Sequence, residues 1–395
     1  MNILFFTDCD VYALRGGIDR VVGVLCNSLI KQDGYKCFLA YFDKTPNKHI
    51  APFEKRTEID KENFYAQLSN FISENKIDKI VVSTMNKQHI HFLLPKIKQI
   101  AKKISVYFWF HGAPTFEIIP INLKVAIYRL MHNKDKIANF KKMLFSVFSI
   151  PFLHKLGVLM LHKKYAFTCR YTDKIILLSK YYINEYAACA KEINKEKFTY
   201  ISNFLSFDVV ESDKIIEQKE KIVLIVSRLE EQQKRILIAL KIWQRIEQQN
   251  RLSDWKLIIL GTGEDETYYK NFANKLRLKN CVFEGQQNPI EYYKKASIFI
   301  MTSSFEGFGL TLTEAQQNGV VPIVFDSFKA VYDIIEDNFN GVIVENNNIK
   351  EYAQKLTFLM QNDKERQILA KNALESCKKF SPENIVEKWK DLFEK

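Results

Sequence analysis

Seven cysteines lie scattered through 395 residues, with no C-x-x-C pair and no regular framework. That excludes a disulfide-stapled scaffold and fits free thiols in a reducing compartment. No G-x-G-x-x-G follows the first apolar run, which argues against a tightly bound dinucleotide. The opening M-N-I-L-F-F-T-D enters a strand directly, without the basic start and cleavage site of a secretory signal. The most apolar stretch, residues 143–161, is broken by Pro151, His154, Lys155 and Gly157. A spanning helix needs ~20 predominantly apolar residues, so this stretch is not read as one. No nucleic-acid module and no internal sequence repeat is present.

What is present is ordinary in bulk and uneven in charge. Hydrophobic residues make up 47% and charged residues 26%, as in a globular protein, and the length allows two domains. The net charge of +12 would suit nucleic acid, an anionic membrane or acidic substrates, and its location decides between them. Residues 121–170 hold ten basic residues (Lys124, Arg129, Lys134, Lys136, Lys141, Lys142, Lys155, Lys163, Lys164 and Arg170) against one acid, Asp135. Apolar sides beside such a basic cluster suggest helices lying in a membrane interface. Anionic lipid attracts such segments by roughly 1 kcal/mol per Lys or Arg. The plainer reading is an inserted helical hairpin with a solvated basic face.

Apolar runs alternate with helical periodicity along both halves. In the first half, strands are expected at 3–7, 36–42, 80–83, 105–110, 173–178 and 198–201. Helices are expected at 18–30, 64–75, within 91–104, and from 179 towards 191. In the second half, strands are expected at 221–226, 255–260, 281–284, 296–301, 320–325 and 340–344. Helices are expected at 236–249, 290–295, 310–318 and 350–378. Ser381 and Pro382 read as the N-cap and first residue of a last helix. Such alternation predicts two parallel sheets with helices on both faces, and ligands at the strand C-terminal ends. The domains are read as 1–205, carrying the 121–170 insertion, and 206–378, with 379–395 as a terminal helix. The charged, glycine-free segment 206–219 is read as the link.

One stretch concentrates the chemistry. Residues 303–314, S-S-F-E-G-F-G-L-T-L-T-E, join a buried strand to a helix through a glycine turn. Free N–H groups at such a turn suit an anion, and glycines let it come close. Glu306 and Glu314 flank it. Carboxylates beside a phosphate would be repelled unless they faced hydroxyls. Phosphate with polyols on either side describes a sugar nucleotide.

The motif, Glu306 and Glu314 set in E-G-F-G-L-T-L-T-E, resembles that of retaining glycosyltransferases of family four. The resemblance is close over the second half and loose over the first, and residues 121–170 have no assigned counterpart. It implies a GT-B fold: two Rossmann-like domains facing across a cleft, with the C-terminal helix crossing back to the first. It gives Glu306 the donor sugar hydroxyls, Glu314 the ribose, and Arg228 and Lys234 the diphosphate. The family spacing places its lysine at Gln233, so Lys234 and Arg235 both stay open for that role. The amides of Phe308, Gly309 and Leu310 would join the phosphates, Gln286 the base, Gly17 the donor or acceptor, and His111 the sugar. No D-x-D is read near a strand end in the chain, so a metal-independent reaction with no cofactor is expected.

The resemblance therefore implies transfer of a sugar from a nucleoside diphosphate, UDP favoured, to a lipid-linked or surface-glycan acceptor. The expected location is cytoplasmic, peripheral on the inner membrane face, with no nucleic-acid partner. A sugar-nucleotide epimerase of the same fold is an alternative, as is a non-enzymatic basic protein binding membrane or nucleic acid.

Overall fold

The computed structural model describes residues 1–12, 16–44, 52–84, 88–115, 151–207, 214–249 and 252–394. They fall into two compact units.

Among the described residues, the first unit holds β1 (Asn2–Cys9), β2 (Lys36–Asp43), β3 (Lys55–Glu58), β4 (Lys79–Thr84), β5 (Ser105–Phe110), β6 (Lys174–Leu177) and β7 (Phe198–Tyr200). They form one sheet in the order β3-β2-β1-β4-β5-β6-β7, parallel throughout. Ile3, Leu4, Phe5 and Phe6 are all fully buried. A parallel strand covered on both faces reads as a continuous apolar run, which is why the sequence shows it so plainly.

Helix Pro382–Glu394 belongs to this unit, as the resemblance implied. Ser381 Oγ accepts from the Asn384 amide at 3.3 Å, capping it. Trp389 is fully buried against Trp109, with ring centres 4.6 Å apart. Phe393 packs on Tyr107 at 5.9 Å.

The second unit holds β8 (Glu220–Val226), β9 (Lys256–Leu260), β10 (Cys281–Gly285), β11 (Ala296–Met301), β12 (Val321–Phe325) and β13 (Val342–Val344). Their order is β10-β9-β8-β11-β12-β13, again parallel. All six residues of β11 are buried. Trp243, Trp255, Tyr269 and Tyr352 are each at most 1% exposed in the core of this unit.

Several elements differ from expectation. β3, K-R-T-E, is a charged edge strand with no apolar signal. Helices Glu231–Lys234, Glu266–Lys275 and Val331–Ile334 were not foreseen. The single helix expected over 350–378 is two, Ile349–Gln361 and Asp363–Cys377. Asn362 leaves the helical region there (φ −115°, ψ 82°), and its side chain bonds back to the Phe358 carbonyl at 2.7 Å. Within the 206–219 link, residues 208–213 lie outside the described residues. Helix Lys214–Glu217 buries Ile216 in the second core, and Lys219 donates to three carbonyls, of Tyr293, Lys294 and Asn318.

Most of the basic stretch, including Lys124, Arg129, Lys134, Lys136, Lys141 and Lys142, lies outside the described residues. Its end forms helix Pro151–Tyr171. Among the described residues no helix is long and apolar enough to cross a membrane.

Candidate active site

In a parallel sheet whose strand order reverses, the crevice beyond the strand C-termini at the reversal is the natural ligand site. In the second sheet the reversal falls between β8 and β11. The two loops leaving those strands carry Arg228, Gln233, Lys234 and Arg235 on one side and Thr302–Glu306 on the other.

The loops are stitched together by hydrogen bonds. Ser304 N donates to the Gln233 carbonyl at 2.7 Å, and Ser304 Oγ to that of Gln232 at 2.8 Å. Thr302 Oγ1 donates to the Lys234 carbonyl at 3.0 Å. Arg235 Nε donates to the Thr302 carbonyl at 2.6 Å, and a terminal nitrogen to that of Ser303 at 2.7 Å. Its guanidinium also lies over the Phe325 ring and reaches Asn346 and Asn347. Burial lowers its pKa to about 10. Arg235 is thus a clamp on the loops, and of the two cations left open, Lys234 is the one whose side chain meets Glu306.

That meeting is close. Lys234 Nζ lies 2.6 Å from Glu306 Oε1, and both side chains are nearly buried (13% and 10% exposed). Gln233 Nε2 donates to Glu306 Oε2 at 3.2 Å. Arg228 is 63% exposed, and one of its terminal nitrogens donates to Gln233 Oε1 at 2.9 Å. Beside the pair, Ser227, Lys234, Thr302, Ser303 and Thr311 border a small depression. Ser227 Oγ is buried there without a protein partner.

The turn after Glu306 needs its glycine. Gly309 has φ 99°, and an added Cβ would lie 3.2 Å from Leu312 Cδ1. Helix Leu310–Gln316 starts there. The Phe308 side chain is buried, and Leu310 opens the helix. Glu314 is 3% exposed, and its Oε2 accepts from the Tyr293 hydroxyl at 3.0 Å.

The G-T-G turn after β9 serves the protein's own backbone. A Cβ at Gly261 would sit 1.9 Å from the Ser227 carbonyl oxygen, and one at Gly263 2.3 Å from that of Leu229. These glycines let the β9 turn seat the first residues after β8. Gln286 is exposed in the turn after β10.

In the first sheet the reversal falls between β1 and β4. Gly17 is the exposed first residue of helix Gly17–Ile30. His111 follows β5, 2.9 Å from Ser83 Oγ through Nε2 and tilted against Trp109 with ring centres 4.5 Å apart. Burial lowers its pKa to about 3, so it is a neutral imidazole at neutral pH. The first half also carries a D-x-D, Asp8-Cys9-Asp10, at the end of β1. The expectation that no D-x-D stands near a strand end in the chain is therefore corrected. Asp10 pairs with Arg56, and Asp8 is 7% exposed.

Sequence reasoning thus brought together Arg228, Lys234, Glu306 and the glycine turn. It missed Ser227, Tyr293 and Ser83, and saw in Gln233 a displaced lysine, not a partner of Glu306. The signal for Gln233 was there, in the extra residue between Arg228 and Lys234.

Residues 208–376 match the model of the family described as "Glycosyl transferases group 1". An uncharacterized glycosyltransferase of Haemophilus influenzae is 28% identical over 260 residues, which are 64% of this chain and 70% of that one. The poly(glycerol-phosphate) alpha-glucosyltransferase of Bacillus subtilis is 32% identical over 168 residues, 42% of this chain but 24% of that one. Anabaena HepE, crystallised with UDP, superposes with a TM-score of 0.72 at 15% identity, over the whole of both chains. The fold is GT-B, and residues 208–376 match the group 1 glycosyl transferases.

Proposed function

We propose that this chain moves a sugar from a UDP-sugar to a lipid-linked or surface-glycan acceptor, with retention at the anomeric carbon and without a metal. The Lys234–Glu306 pair at the β8–β11 reversal carries the reading. The barrier lies in breaking the anomeric C–O bond while charge builds on the departing diphosphate. Arg228 and Lys234, with the amides of Phe308, Gly309 and Leu310, stabilise that charge. Glu306 holds sugar hydroxyls, Glu314 the ribose, Gln286 the base, and neutral His111 the sugar. The acceptor proton passes to the leaving phosphate. UDP in the HepE crystal supports the choice of base, and the printed activity of the Bacillus relative supports a surface polymer as acceptor.

The same proposal seats the protein on the cytoplasmic face of an anionic membrane through the 121–170 region. Helix Pro151–Tyr171 exposes Leu159, Met160 and Lys163, and Phe92 nearby in sequence to β4 is 69% exposed. Apolar side chains between basic ones suit a lipid interface.

The test is UDP release from UDP-glucose, UDP-galactose and UDP-N-acetylglucosamine by the wild type and by Glu306→Ala. Release by the wild type, lost by orders of magnitude in the folded variant, is the expected result. Equal release from both contradicts the assignment.

A further inference from the structure

Gln233 touches both functional arms of the site. Its Oε1 accepts from Arg228 at 2.9 Å, while its Nε2 donates to Glu306 Oε2 and to the Phe305 carbonyl, each at 3.2 Å. Glu306 Oε1 is held by Lys234, so Gln233 fixes the carboxylate's second oxygen and with it the carboxylate plane. A primary amide suits this place because it presents an acceptor at one end and donors at the other. A lysine, which the family spacing would put here, could grip Glu306 but would repel Arg228.

We propose that Gln233 is a positioning residue that couples Arg228 to Glu306, so that the grip on the diphosphate sets the orientation of the sugar-binding carboxylate. This rests on the donor-site reading above. When Arg228 turns from the amide to a phosphate, Gln233 Oε1 loses its partner. The amide plane then settles on Glu306 and Phe305. Phosphate binding and carboxylate orientation are thereby coupled through one amide.

The test uses the full chain, UDP, and whichever of the three UDP-sugars above the wild type turns over. Gln233→Met keeps the side-chain volume and removes all three side-chain hydrogen bonds. It is expected to lower kcat about tenfold while UDP affinity changes by less than about threefold. Gln233→Glu keeps the acceptor for Arg228 but sets two carboxylates together, and is expected to lower kcat about a hundredfold and to weaken UDP binding. Combined with Arg228→Ala, the Gln233→Met loss should shrink, because the coupled partner is already gone. Wild-type kcat in Gln233→Met, losses that follow the melting temperature with kcat per folded molecule unchanged, or effects that multiply independently would each overturn the coupling. Absence of UDP binding and turnover in the wild type, or full turnover by Glu306→Ala, would remove the donor site itself and the coupling with it. Loss in Glu306→Ala beside a silent Gln233→Met removes the coupling alone.

Discussion

Lys234 and Glu306 stand 72 residues apart in sequence and 2.6 Å apart in the fold. The pair joins the loop after β8 to the loop after β11 at the point where the strand order reverses. A nearly buried ion pair of this kind stabilises little by itself, but breaking it leaves a charge without compensation. Lys234→Ala should therefore cost roughly 3 kcal/mol of stability. The double variant Lys234→Ala/Glu306→Ala should be destabilised by less than the sum of the two single changes. Denaturant unfolding of the four proteins checks this, and additive losses would show that the two groups do not interact in solution.

The close approach of the β9 turn makes a second, sharper expectation. Gly261→Ala would force a methyl to within 1.9 Å of a backbone oxygen, which no rotamer change can relieve. It should cost more than about 4 kcal/mol or prevent folding. Gly309→Ala meets the end of a leucine side chain and should cost about 1–2 kcal/mol, chiefly from its left-handed backbone. Thermal unfolding ranks them, and a reversed order would contradict the packing at Ser227.

The two sheets and their strand C-terminal ends were legible in the sequence because parallel strands covered on both faces are written as apolar runs. Residues 296–301 are the clearest case, expected and found with the same bounds. β3 was illegible for the converse reason, being a short edge strand of charged residues. The glycine turn around Gly309 was legible because its conformation demands the residue. The contacts of Glu306 were half legible. Lys234 could be named, but its choice over Arg235 depends on which side chain turns inward. Tyr293 on Glu314 and Ser83 on His111 left no sequence signal, since each pair is made by chain crossing.

Buried His91 and half-buried His111 give a pH expectation with a definite sign. His91 is 1% exposed, bonded to Thr168 Oγ1 at 2.7 Å, and burial together with Lys164 lowers its pKa to about 3. Its unfolded value is about 6.5, so the unfolded chain binds the extra proton between pH 6.5 and 3. The stability His91 confers is present above pH 6.5 and lost as pH falls through that window. His111, lowered to about 3 by burial, acts in the same direction. Melting temperatures of the wild type and His91→Asn from pH 7 to 4 should converge as pH falls. A constant gap would show that His91 titrates alike in both states.

Membrane seating is tested by charge reversal. Changing Lys141, Lys142, Lys163 and Lys164 to Glu should release the protein from vesicles of anionic lipid while sparing turnover of the soluble donor. Co-sedimentation at low and high salt measures it. Unchanged vesicle binding refutes the membrane surface, and strong, salt-sensitive RNA binding in its place would make nucleic acid the partner of the basic stretch.

The most direct measurement is calorimetric titration of UDP into the wild type, Arg228→Ala and Lys234→Ala, with GDP and ADP as competitors. Selective binding of UDP by the wild type, weakened about tenfold or more in each variant, is the expected result. No binding of any of the three nucleotides, or UDP affinity indifferent to both cations, would contradict a donor site at the β8–β11 reversal.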